Sequence, residues 1–284
     1  MKKILFVAAI LLSQLSCTSN TAEINFYAES NSNALGHLFI IGGGERPDYL
    51  MQELMNLVGD VEKNVLIVPF ASGEQEMTGA FQKEQFMKLG ANSCEVLLCE
   101  KEEVDIQENI EKLSGVNIIF FSGGDQNILT EYLNGTEFLA KIKTLYKEGG
   151  VIGGTSAGAA VMSRVMITGN EKNASSGNQN FVEIEKDNIV TSEGFGFLDN
   201  VIVDQHFLYR KRHNRLFSVL LDNPGLRGVG IDESTAIIVK PNNTFEVVGE
   251  SSVLLFEPIN LLSGKEGAPV FTIRILSSGD SYNL

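Results

Sequence analysis

The 284-residue chain is 43% hydrophobic and 20% charged, with enough apolar sequence to bury a sizeable core in one large domain. Its 28 glycines and 6 prolines exclude collagen-like and low-complexity classes. A net charge of −14 and a pI near 4.7 set the chain against phosphate backbones and argue against nucleic acid as a partner.

The N-terminus reads as a targeting segment. Lys2 and Lys3 make a positive region, and the apolar run 4–12 is too short to span a bilayer. Ser16 then precedes Cys17, and polar Thr18, Ser19 and Asn20 follow. A small residue before a lone Cys resembles a bacterial lipoprotein signal, in which the Cys becomes the lipidated N-terminus. Gln14 stands where that pattern usually has Leu, and an ordinary cleaved secretory signal is the alternative. The expectation is a signal over 1–17 with Cys17 as lipidation site and an exported protein, either an envelope lipoprotein or periplasmic or secreted. Membrane contact is then through the lipid alone. Residues 18–36, rich in Ser, Asn and Ala, read as a tether to a single domain over 37–284.

Strand and helix patterns then alternate. The run 37–41 ends in Gly42-Gly43-Gly44; helical spacing of Leu50, Leu54 and Val58 follows within 49–58. The run 64–70 (NVLIVPF) predicts a second strand, 77–89 a helix and 94–99 a third strand. Strand 116–121 ends in Ser122-Gly123-Gly124, and strand 151–152 in Gly153-Gly154. Short continuous apolar runs mark strands covered on both faces, so the pattern predicts an α/β three-layer sandwich with a mostly parallel central sheet. Ligands in such folds sit at the C-terminal strand ends, where the glycine clusters fall. Residues 170–180, dominated by Asn, Ser, Gly and Lys, predict a flexible loop. Short strands at 236–239, 245–248, 253–256 and 271–275 predict antiparallel hairpins at one sheet edge.

Cys94 and Cys99 flank a predicted strand. Five strand residues separate their Cα atoms by roughly 16 Å, against the 7 Å or so that a disulfide allows. Three Cys and three His offer no metal-ligand spacing, and no cofactor is expected.

Gly154-Thr155-Ser156-Ala157-Gly158 fits G-x-S-x-G, between a strand and a helix-compatible run. That context predicts a nucleophile elbow, with the Ala157 N–H at a helix start positioned for an oxyanion. Of His37, His206 and His213, the first opens a strand and the last lies among charges, as a solvated helix residue would. His206 follows the apolar run 201–203 and Asp204-Gln205, at a strand's C-terminal end, so elimination favours it as base. A carboxylate should orient the imidazole, and both Asp232 and Glu233 follow a predicted strand. Gly123 and Gly124 allow close backbone approach and a second oxyanion donor at Gly124. Arg210, Arg212 and Arg215 suit carboxylate recognition.

Together these blocks, with Gly42-Gly43-Gly44-Glu45, Gln126, Asp204-Gln205-His206-Phe207 and Gly230-Ile231-Asp232-Glu233-Ser234-Thr235-Ala236, resemble the cyanophycinase family of serine peptidases over about 37–260. The resemblance implies a class I glutamine amidotransferase-like fold, related to dipeptidase E. It implies Ser156 as nucleophile, His206 as base and Glu233 as acid. It also implies Gln126, Asp204, Gln205, Arg210, Arg212 and Arg215 as binders of a β-aspartyl-arginine unit, released as dipeptides from an arginine-bearing poly-aspartate. Asp204 would meet the substrate guanidinium and the arginines its carboxylates. An exported isoaspartyl or aspartyl dipeptidase of the same fold, or a non-catalytic envelope binding protein, are the alternatives, and a homodimer is left open. An esterase on an α/β-hydrolase fold expects the order Ser, acid, His, whereas His206 here precedes Glu233. Ser in place of Cys at the elbow excludes thioester amidotransferase chemistry.

Overall fold

The computed structural model describes residues 34–173, 181–259 and 270–284. The expected signal with Cys17, residues 18–33 of the expected tether and residues 174–180 of the expected loop lie outside the described residues. Residues 34–36, expected in the tether, are instead bonded to the domain, with Leu35 N and Gly36 N donating to the Lys147 and Tyr146 carbonyls, and residues 170–171, expected in the loop, end a strand.

The large sheet has eight strands. Five are parallel: β1 (His37–Ile41), β2 (Asn64–Val68), β3 (Ser93–Val96), β4 (Ile118–Phe121) and β5 (Val151–Thr155), in the order β1-β5-β4-β2-β3. They read as unbroken apolar runs because both faces are covered: Leu38, Phe39, Ile40 and Ile41 are all fully buried. Phe39 and Ile41 face α1 (Asp48–Asn56) and α2 (Gln75–Lys88), alongside Leu50, Leu54 and Phe86. Leu38 and Ile40 pack on the opposite side, in the core shared with α4 (Gln126–Leu133), α5 (Glu137–Lys147) and α6 (Ala157–Ala160). A short α3 (Gln107–Glu111) precedes β4.

Beyond β1 the sheet continues antiparallel through β10 (Thr235–Val239), β11 (Thr244–Gly249) and β14 (Ser281–Asn283). The expectation that all the C-terminal strands lie at this edge is corrected here. β12 (Val253–Pro258) and β13 (Phe271–Leu276) join a second sheet, β13-β12-β9-β8, with β8 (Val201–Gln205) and β9 (Arg227–Ile231). The reason lies in β12 itself. Val253 and Leu255 pack into the main core, while Leu254 and Phe256 pack with α7 (His213–Asp222), so the strand needs cover on both faces. A separate pair, β6 (Val165–Glu171) and β7 (Ile189–Glu193), stands beside the second sheet.

Predicted boundaries shift slightly. The first helix ends at Asn56, the second spans Gln75–Lys88, and β3 stops at Val96, before Glu100 caps a 3-10 turn. Cys94 and Cys99 are free thiols, and burial pushes them up to about 12 and about 11, so both stay protonated.

Candidate active site

The elbow forms where β5 meets α6. Ser156 has φ 54° and ψ −106°, a conformation that L-residues avoid and that the surrounding backbone must hold in place. Its N–H donates to the Ile41 carbonyl of β1 (3.1 Å). The two glycines of the pentapeptide abut each other: a Cβ on Gly154 would stand 2.3 Å from the Gly158 carbonyl oxygen, and one on Gly158 equally close to that of Phe121. Side chains there would prise α6 off the sheet.

His206 follows β8 and takes φ 48°, a second left-handed turn. Its Nε2 stands 2.9 Å from Ser156 Oγ, and its Nδ1 is hydrogen-bonded to Glu233 Oε1. The serine comes from the main sheet. The histidine comes from the second sheet, and Glu233 from the turn joining β9 to β10. The loop after β1 lies beneath the pair. A Cβ on Gly43 would lie 2.3 Å from His206 Cε1, and one on Gly44 2.7 Å from Glu233 Cβ. The loop is also bonded to His206 and to the residue after Glu233: His206 N donates to the Gly42 carbonyl (2.6 Å) and Ser234 N to that of Gly43 (2.9 Å). The sequence marked this triple glycine as a strand end; its part in seating the imidazole depends on contacts with residues more than 160 positions away.

Of the two carboxylates left open by the sequence, Glu233 is the one that reaches the imidazole. Asp232 is occupied: it accepts the Leu208 and Tyr209 N–H groups (3.0 and 2.9 Å) and the Ser251 hydroxyl (2.7 Å), which fixes the turn after His206. Burial holds the His206 pKa below its ordinary value. The Glu233 hydrogen bond works against this, and the charges of Arg210 and Arg212 add to it. A neutral imidazole with Nδ1–H on a carboxylate leaves Nε2 free to take the serine proton.

A Cβ on Gly123 would lie 3.3 Å from Ser156 Cβ, so the peptide joining it to Gly124 borders Ser156. The Gly124 N–H has no protein acceptor among the described residues. The Ala157 N–H, first in its helix, has no intrahelical acceptor. Behind this loop, Ser122 donates to Gln82 Oε1 (2.7 Å), both side chains fully buried, a support the sequence gave no sign of.

The remaining predicted binders divide. Gln205 is buried with Oε1 3.4 Å from Ser156 Oγ. Gln126 donates from Nε2 to the Ile167 carbonyl (2.8 Å), which ties α4 to β6. Arg210 is exposed. Arg212 is half-buried, donates to the Gln205 carbonyl (2.9 Å), and is lowered by burial to about 10. Asp204 and Arg215 require a correction. They bind each other through two hydrogen bonds, with side chains 0% and 2% exposed, and the Arg215 guanidinium also sits 5.1 Å from the Phe181 ring centre. Neither is open to a ligand, because each satisfies the other's charge. Arg212 and Arg215 therefore act apart, since Arg212 caps α7 and turns back to β8. His213 is half-buried, and its ring packs 4.9 Å from that of Phe207.

Residues 38–247 match the model of peptidase family S51. The chain belongs to that family. It is a serine-type peptidase, a hydrolase. It is 32% identical to the cyanophycinase of Synechococcus elongatus over 268 residues, 89% of this chain and 81% of that protein. It is 32% identical to the cyanophycinase of Geminocystis herdmanii over 263 residues, 87% and 93% of the two. Among solved structures it resembles a peptidase from an acI-B1 Actinobacterium, with TM-score 0.66, 25% identity, and coverage of 89% of this chain and 98% of that one. The S51 match spans β1 through most of β11, so it includes all three segments that meet at Ser156.

Proposed function

We propose that the chain hydrolyses aspartyl peptide bonds of an arginine-bearing poly-aspartate, releasing β-aspartyl-arginine dipeptides through a covalent acyl-enzyme. The observation that carries the reading is the connected set Glu233, His206 and Ser156, with the serine held at φ 54° on its elbow. Ser156 Oγ attacks the scissile carbonyl as His206 Nε2 takes its proton, and Glu233 holds the imidazolium that forms. The negative oxygen falls to the Ala157 and Gly124 N–H groups, where fixed donors need no reorganisation. His206 then returns the proton to the departing amine. A water, deprotonated by the same imidazole, releases the acyl group and restores the serine. Gln205 and Arg212 border this crevice and are suited to the polar and anionic parts of the substrate. The substrate class is supported by the relatives named cyanophycinase at 32% identity.

The test is incubation with the purified polymer and detection of β-aspartyl-arginine by mass spectrometry, with Ser156→Ala as control. Dipeptide from the wild type only is expected. An intact polymer alongside cleavage of short isoaspartyl peptides would assign the chain to the dipeptidase reading instead. Export through a lipid on Cys17 belongs to the same proposal, and fatty-acid labelling lost in Cys17→Ala would support it. A soluble, unlabelled protein beginning beyond Cys17 would support the plain secretory signal.

A further inference from the structure

Arg46 sits two residues past Gly44, in the loop that seats His206 and Glu233. The loop is fixed from the other side as well, because the Arg46 carbonyl accepts Gln85 Nε2 from α2 (2.7 Å). The Arg46 side chain is a different matter. Its Nε is sealed from water and has no hydrogen-bond partner among the described residues. No carboxylate pairs with its guanidinium there either. The nearest acid in sequence on its helix side, Asp48, is taken by Gln85 and Lys88. Burial lowers its pKa, with no charged neighbour to offset the loss of water.

The other arginines are provided for. Arg215 has Asp204, Arg164 has Asp199, and Arg227 and Arg274 share Glu257. Arg212 donates to a carbonyl, and Arg210 stands in water. A half-buried guanidinium whose Nε is sealed off with neither hydrogen bond nor counter-ion costs the free protein stability, and its planar fork suits a carboxylate. The chain carries a net charge of −14, yet no acid among the described residues satisfies this position.

We infer that Arg46 is a substrate-binding residue: a carboxylate of the bound peptide supplies the counter-ion that the fold withholds. The peptide nature of that ligand rests on the function proposed above. Arg46 is then a specificity determinant distinct from the Arg210–Arg215 segment, on the opposite, β1 side of the catalytic histidine. Because its cost falls on the free protein and its benefit on the complex, it opposes stability and supports binding.

The experiment compares Ser156→Ala with Ser156→Ala carrying Arg46→Gln or Arg46→Lys, by calorimetry and thermal denaturation. The probes are the β-aspartyl-arginine dipeptide, its analogue with both carboxylates converted to carboxamides, and succinate. Arg46→Gln is expected to weaken dipeptide binding about 10- to 100-fold, to leave carboxamide binding unchanged, and to keep or raise Tm without ligand. Arg46→Lys should restore part of the difference. Succinate should raise the Tm of the parent and not that of Arg46→Gln. Should the dipeptide fail to bind while succinate stabilises only the parent, the substrate reading falls and the carboxylate site stands. Equal succinate responses in parent and Arg46→Gln, equal losses on dipeptide and carboxamide, or a clear drop in the ligand-free Tm of Arg46→Gln would overturn the inference, since each marks a structural arginine.

Discussion

In the proposed reaction the His206 imidazole must be neutral to accept the Ser156 proton, and burial keeps its pKa below the ordinary 6.5. The activity profile should therefore rise through one ionisation below pH 6.5 and stay level above it. Arg210 and Arg212 contribute to this depression, so Arg210→Ala should move the acid limb toward higher pH, by a small amount because Arg210 is exposed. Steady-state kcat/KM against pH for the two proteins measures both. The sign for stability is the same. The unfolded chain binds this proton more readily than the folded one, so the stabilising contribution is complete above pH 6.5 and is lost as pH falls through the folded value. Asp204 and Arg215 answer a different test. Removing one partner leaves the other charge buried alone, which costs about 3–5 kcal/mol, or a Tm lower by roughly 6–20 °C in a protein of this size. Asp204→Ala should show that loss in thermal denaturation, and Asp204→Leu with Arg215→Met should recover most of it. A group that bound substrate would instead lower kcat/KM with little change in Tm.

The loop after β1 sets where the proposed catalytic side chains His206 and Glu233 can lie. At φ 109° and with the imidazole against it, Gly43 cannot carry a side chain unless His206 moves. Gly43→Ala should lower kcat about 100-fold or more, since displacements near 1 Å at a reacting centre cost that much. Its far-ultraviolet circular dichroism should match the wild type; an unfolded variant would mean the loop sustains the fold rather than the site. The same elements explain what the sequence could and could not disclose. The parallel strands were legible because burial on both faces leaves continuous apolar runs, and the elbow because G-x-S-x-G lies between strand and helix. β12 was assigned to the wrong sheet because its apolar run, 253–256, reads alike whichever sheet covers it. Asp204 was expected to bind ligand from the family resemblance and Arg215 also from its guanidinium in the segment after His206, and their pairing appears only once α7 folds back on β8. Asp232 and Glu233 are adjacent acids in one turn, and which of them meets the imidazole depends on where the backbone of 208–209 lies.

Ser156 belongs to one sheet and His206 to the other, so the site exists only while the two are docked. Besides the bonds through Gly42 and Gly43, the Ser163 hydroxyl accepts the Val203 N–H of β8 (2.8 Å) in a fully buried position. Ser163→Ala leaves that N–H unpaired, at about 1–3 kcal/mol. Urea denaturation should register the loss directly. Activity at a fixed, mild urea concentration should fall further than in the wild type, because the variant lies closer to its unfolding transition; unchanged stability would mean that another acceptor has replaced the hydroxyl. Ser156, His206 and Glu233 also lie far apart along the chain, 50 positions from the first to the second and 27 from the second to the third. During synthesis, the serine leaves the ribosome well before its partners do. On the proposed mechanism it stays chemically inert until Glu233 has been translated and β8 has closed against the first sheet. A growing chain therefore has no cutting activity to turn on itself or its neighbours, because the order of the gene delays the hydrolytic chemistry until the fold is nearly complete.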